Sequence, residues 1–193
     1  MKSITLKEKN FIRLKKHYLL CLFLAVLGIM VIYRIQNPTD SQIQKKSQVG
    51  SEIGMQAPDF TLRYLNGNSE RLSSFKDKVI ILNFWATWCA PCLEEMPAFE
   101  KIYRRYRSQG LTVIAVSLDK GHISKVENFV DEHSLTFPVL LDLDGIAEKI
   151  YPSFTIPFTY VIDKKGIIVA RVDGAKNWSS DETFDALDIL IKG

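Results

Sequence analysis

Cysteine is scarce in this sequence, with three residues in 193, at positions 21, 89 and 92. Three is too few for a disulfide-stapled mini-domain, and about 140 residues bury enough apolar surface to fold without staples. Cysteine here therefore points to chemistry rather than scaffolding. The folded part also lacks excess positive charge, since residues 54–193 hold 16 Lys or Arg against 19 Asp or Glu. A nucleic-acid footprint needs a basic stripe on the domain itself, so that class of partner is not expected. Internal repeats and low-complexity blocks are absent too, which argues against solenoid, collagen-like and disordered chains.

The chain does open with a basic tail and a long uncharged run. Residues 1–16 hold six Lys or Arg against one Glu, and no residue from His17 to Tyr33 carries a formal charge at neutral pH. At about 1.5 Å per residue that run spans about 25 Å, while Arg34 can snorkel and Ile35 lengthens the apolar stretch. No small-x-small cleavage site follows it. The expectation is a retained transmembrane signal anchor over residues 17–35 rather than a cleaved signal peptide. Cys21 reads as an apolar residue of that helix. Lys2, Lys7, Lys9, Arg13, Lys15 and Lys16 outweigh Arg34, Lys45 and Lys46, which puts residues 1–16 in the cytoplasm and the rest outside the cell membrane. Residues 36–53 are polar and read as a tether, with the folded domain over residues 54–193.

Within that domain, Phe60 to Tyr64 and Glu70 to Leu72 flank Asn66-Gly67 and predict a short hairpin. Val79 to Phe84 and Leu111 to Leu118 are near-continuous apolar runs of strand length, suited to strands covered on both faces. Between them Leu93, Met96, Phe99, Ile102 or Tyr103, and Tyr106 recur at helical spacing, with Pro97 inside predicting a kink. Ile123, Val126, Phe129 and Val130 mark another helix, ahead of a strand at Pro138 to Leu141. Strand, helix, strand, helix, strand argues for parallel pairing. Phe158 to Ile162 and Ile167 to Val172 then form a hairpin around Asp163-Lys-Lys-Gly166. A last helix has a capping box from Ser179 to Glu182. Asp142 to Gly145 reads as a turn with a helix cap rather than a calcium loop. Arg104, Arg105 and Arg107 read as a solvated helix face.

Cys89 and Cys92 sit in Trp88-Cys-Ala-Pro-Cys92, where a buried strand meets a helix. Unpaired N–H groups and the dipole at a helix N-terminus stabilise thiolate, so Cys89 is the natural attacking thiol. Cys92, one turn further, can close a disulfide and expel a bound partner. A purely structural bridge over so short a loop would stabilise little. A zinc site would need two more ligands, whereas His122 and His133 stand alone.

With these residues in place the sequence resembles the thioredoxin superfamily, and within it the membrane-anchored thiol-disulfide reductases of the ResA and TlpA type. The resemblance runs over about residues 50–193, through Ala57-Pro-Asp-Phe60, Leu82 to Cys92, the extra helix and strand of residues 122–142, and Ile156-Pro157. It implies an α/β thioredoxin-like fold: a mixed central sheet flanked by helices, with an N-terminal hairpin and an inserted helix and strand. It further implies Cys89 as nucleophile, Cys92 as resolving thiol and Pro157 as a cis-proline opposite them. No cofactor is implied beyond the Cys89–Cys92 redox disulfide. Glu95 matches an acidic residue that such proteins place beside the cysteines for proton handling; its alternative is a solvated helix carboxylate. Asn83 stands where thioredoxin itself has a buried acid. Trp88, Ile156 and Phe158 are expected to border the substrate groove, although the family more often has a small hydroxyl residue at the position of Phe158.

The implied activity is a monomeric protein-disulfide reductase. Its substrate would be the Cys-x-x-Cys-His disulfide of an apocytochrome c, and its electrons would come from a membrane thiol donor of the CcdA or DsbD type. Peroxiredoxin-like domains share the Ala-Pro-Asp-Phe opening, but they place Pro and Thr where this chain has Leu82 and Ala86. Copper carriers on the same fold use a three-residue cysteine spacer.

Overall fold

The computed structural model describes residues 19, 22–33 and 48–193. The chain divides into two compact units after Lys46. In the first, residues 22–33 are helical. Among the described residues no helix is long and apolar enough to cross a membrane. The tail 1–16 lies outside the described residues, as do Cys21 and parts of the expected span 17–35 and tether 36–53.

In the second unit the strands are β1 (Thr61–Tyr64), β2 (Ser69–Arg71), β3 (Val79–Trp85), β4 (Leu111–Ser117), β5 (Val139–Leu141), β6 (Phe158–Ile162) and β7 (Ile168–Asp173). The helices are α1 (Ala90–Tyr106), α2 (Ile123–Glu132), α3 (Ile146–Ile150) and α4 (Asp181–Lys192). One sheet holds all seven strands in the order β2-β1-β5-β4-β3-β6-β7. β3, β4 and β5 are parallel neighbours, as the alternating pattern predicts. β6 runs antiparallel to β3, and the two hairpins close the edges. This is the thioredoxin-like mixed sheet that the resemblance implies.

Every residue of β3 and β4 is buried. Their side chains alternate between two apolar layers. Val79, Ile81 and Trp85 face one layer with Phe99, Trp178 and Leu187. Ile80, Leu82 and Phe84 face the other, with Tyr151, Phe158 and Tyr160. An unbroken apolar run is what a strand sandwiched this way needs.

Three boundaries differ from expectation, each because a hydrogen bond outside the local pattern decides it. Leu72 leaves β2 for a short 3-10 turn, and its N–H donates to Phe60 O at 3.1 Å. The cap of α4 is Ser180, not Ser179: its Oγ accepts from Thr183 N at 3.3 Å, while Ser179 N is spent on Asn177 Oδ1. Residues 48–53, expected in the tether, already belong to the second unit: Gly50 N donates to Gln56 O, and Gly54 N to Ile168 O at 2.8 Å. The turn at Asp142 is as expected, with its buried carboxylate accepting from Ile146 N at 2.6 Å and Glu148 N at 2.8 Å.

Candidate active site

β3 delivers the chain to the site, and the loop after it is fastened at once. Asp119, just beyond β4, is buried and accepts from Thr87 N at 2.9 Å and Thr87 Oγ1 at 2.6 Å. Ser117 Oγ donates to the same carboxylate at 3.0 Å. Nothing in the local sequence pairs Asp119 with Thr87, 32 residues apart, so pattern reading misses this anchor.

Cys89 is the N-cap of α1, and its carbonyl accepts from Cys92 N and Leu93 N. Pro91 falls in the first turn, where a missing N–H costs no helical bond. Cys89 and Cys92 form a disulfide, with Cα atoms 5.3 Å apart. Of the two, Cys92 is fully enclosed, whereas Cys89 keeps 5% of its surface exposed. Only Cys89 can be approached from solution.

The Ile156–Pro157 peptide is cis, as the resemblance implies. Phe158 opposite Phe84 in the β3–β6 register sets Pro157 at the same end of β3 as the cysteines. Ile156 is half-buried beside it. Trp88 is 71% exposed and Trp85 is fully buried, so the two tryptophans divide cleanly between rim and core. Phe158 touches the cleft beside Trp88, but its ring is 1% exposed and stacks on Phe84 at 4.4 Å. Its bulk thus goes mainly into the core layer rather than into the groove.

Glu95 follows Cys92 by three residues on α1 and is only 5% exposed. A solvated carboxylate is therefore the wrong description. Its Oε1 accepts from Lys176 N and Trp178 Nε1, both at 2.7 Å, while Oε2 is buried with no hydrogen-bond partner among the described residues. Burial pushes the carboxyl above its ordinary range, and the two hydrogen bonds only partly offset this. A carboxyl so placed can hold a proton one helical turn from Cys92. Asn83 is fully buried on the α1 side of β3, where its Nδ2 donates to Thr159 Oγ1 at 3.0 Å. It offers no titratable group below the disulfide.

On the far side of α1, Arg104, Arg105 and Arg107 are exposed as expected, and Arg104 pairs from the surface with the buried Glu100, which also accepts from Thr136 N at 2.8 Å. Arg105 lies over the Phe184 ring at 4.8 Å. Both contacts hold the helix rather than the site.

A dithiol pair capping a helix at the end of a central strand, with a cis-proline at the same sheet end, defines a class: the thioredoxin-like thiol-disulfide oxidoreductases. The chain belongs to the AhpC/TSA family, whose pattern matches residues 53–171. It is 44% identical to the thioredoxin-like protein YneN of Bacillus subtilis over 129 residues, 66% of this chain and 75% of that one. Identity to the thiol-disulfide oxidoreductase ResA of Bacillus thuringiensis subsp. konkukian is 40% over 141 residues, 73% of this chain and 78% of that one. Among solved structures, one from Chlorobium tepidum assigned as a thiol:disulfide interchange protein DsbE superposes with a TM-score of 0.64 at 27% identity. That match covers 72% of this chain and 96% of that one.

The pH behaviour of Glu95 gives a direct check. Its folded pKa lies above the unfolded one, so its contribution to stability is complete below the ordinary carboxylate range and is lost as pH rises through the raised folded value. Glu95→Gln should remove that loss, and urea unfolding of oxidised protein across a pH series should show a flatter profile. In reduced protein the same change should lower the thiol pKa, because a nearby carboxylate disfavours thiolate. An unchanged thiolate titration would detach Glu95 from the cysteines.

Proposed function

We infer that this protein is an extracytoplasmic, membrane-tethered disulfide reductase that keeps the haem-binding cysteines of apocytochrome c reduced. The observation that carries the reading is the buried carboxyl of Glu95 one turn from Cys92 on α1, next to a cysteine spacer, Ala90-Pro91, that has no cation to hold a thiolate. A dithiol whose thiolate is poorly stabilised gives up its electrons more readily. The reduction potential, measured against a thiol buffer, should fall nearer about −270 mV than about −120 mV. Leu82 and Ala86, both fully buried and apolar, offer nothing at the positions where peroxiredoxin-like domains carry Pro and Thr.

The client follows from compartment chemistry and from the likeness to ResA-type proteins. Thiols outside the cytoplasm tend to be oxidised, while attachment of haem to Cys-x-x-Cys-His requires free thiols. A membrane thiol donor of the CcdA or DsbD type would supply the electrons, and the basic tail with its apolar run would hold the domain at the outer face of the cell membrane. Deleting the gene should lower covalently bound haem c, and thiol reductant in the medium should restore it. Normal haem c in a strain with no related reductase would move the protein to another envelope or spore-assembly client.

A further inference from the structure

Two aromatic side chains of residues 48–193 are exposed, Trp88 and Phe154, and both line one cleft of about 650 Å³. Trp88 immediately precedes Cys89. Phe154 is entirely exposed on the loop that leads to Pro157. Leaving a phenylalanine ring in water stabilises nothing in the isolated domain, and an exposed apolar surface beside a reactive group marks a place where another molecule is bound.

The loop under Phe154 is not slack. Ser153 Oγ donates to Asp173 Oδ1 and accepts from Thr155 N, at 3.0 and 3.3 Å. Arg171 on β7 donates to Pro152 O at 3.1 Å and forms an ion pair with Asp173. Pro152 and Ser153, before Phe154, are thus fastened to β7, and Thr155, after it, is tied to Ser153, while the ring of Phe154 touches solvent. Asp119, which also lines the cleft, fastens the loop that carries Trp88. Two aromatic side chains on fastened loops in one cleft next to Cys89 suit an apolar side chain of a polypeptide, because little loop ordering remains to be lost on binding.

We propose that Phe154 is a specificity-determining residue that, with Trp88, binds an aromatic or large aliphatic side chain next to the client's cysteine pair. The proposal rests on the reductase reading and adds which disulfides are preferred. The Cys89 thiolate attacks the client disulfide, forming a mixed disulfide and releasing one client thiolate. Cys92 thiolate then attacks Cys89 sulfur, restoring the Cys89–Cys92 bond and releasing the second client thiolate, so two electrons pass to the client. Phe154 acts on the first encounter.

The test uses pre-reduced protein in single turnover with two peptides closed by a Cys-Gly-Gly-Cys disulfide, differing only in Phe or Ser before the first cysteine. Hydroxyethyl disulfide, which has no such side chain, is the reference. The wild-type protein should half-saturate at about tenfold lower concentration of the Phe peptide than of the Ser peptide. Phe154→Ser should bring the two within about twofold, and Phe154→Tyr should restore the preference. A tenfold preference that persists in Phe154→Ser overturns the proposal. So does a loss of the same factor toward hydroxyethyl disulfide, which would assign the residue to loop geometry. Wild-type protein that reduces both peptides equally sinks the proposal alone, whereas protein that reduces none of the three disulfides removes the reductase reading beneath it.

Discussion

Replacing Cys89 with serine should abolish disulfide exchange, lowering the rate by at least about a thousandfold, since a serine hydroxyl is not ionised at neutral pH and sulfur is the better nucleophile. Cys92→Ser should behave differently. Its first step survives, because the partly exposed Cys89 is the sulfur that meets the client, but the enclosed Cys92 is no longer there to resolve the adduct. Mixed disulfides should accumulate and be visible by mass spectrometry of unreduced protein. Accumulation in Cys89→Ser instead would reverse the two roles.

The second large effect is on stability. Phe84 is fully buried, stacked on Phe158 at 4.4 Å, with Tyr151 at 5.7 Å and Tyr160 at 6.4 Å. Phe84→Ala should cost about 3 to 5 kcal/mol, the lost transfer energy plus the cavity left in a layer of rings that cannot easily collapse. For a domain of this size that is roughly 10–15 °C in Tm, readable by thermal unfolding in circular dichroism. The same variant loosens the support of Phe158, which immediately follows Pro157. A loss under about 1 kcal/mol would mean that the ring layer closes over the gap.

Much of the domain was legible because its signals are local. The apolar run Val79 to Phe84 names a two-faced strand by itself, and Cys-Ala-Pro-Cys at its end carries its chemistry in four residues. The turn at Gly166, with φ near +80°, likewise needs only its own sequence. What escaped depends on partners distant in sequence. The burial of Glu95 is set by Lys176 and Trp178, 81 and 83 residues away. The hold of Asp119 on Thr87, and of β7 on the loop of Phe154, are again long-range. The cap of α4 slipped by one residue because Asn177 claims Ser179 N, a competition between two equally plausible serines. The place of Phe158 after Pro157 points to the groove, but a ring able to stack on Phe84 gains more in the core.

The way the chain enters the domain has a mechanical consequence. Gly54 N bonds to Ile168 O, Ala57 N to Gly166 O, and Gln56 Nε2 to Gly166 O, all around the turn between β6 and β7. Because β6 runs antiparallel to β3, that turn lies at the N-terminal end of β3, a strand's length of about 23 Å from the cysteines at the other end. Tension applied upstream of Gln48 would load these few bonds at one pole first. The disulfide pole would stay unloaded and free to pivot toward whatever it meets, like the far end of a boat moored by its stern.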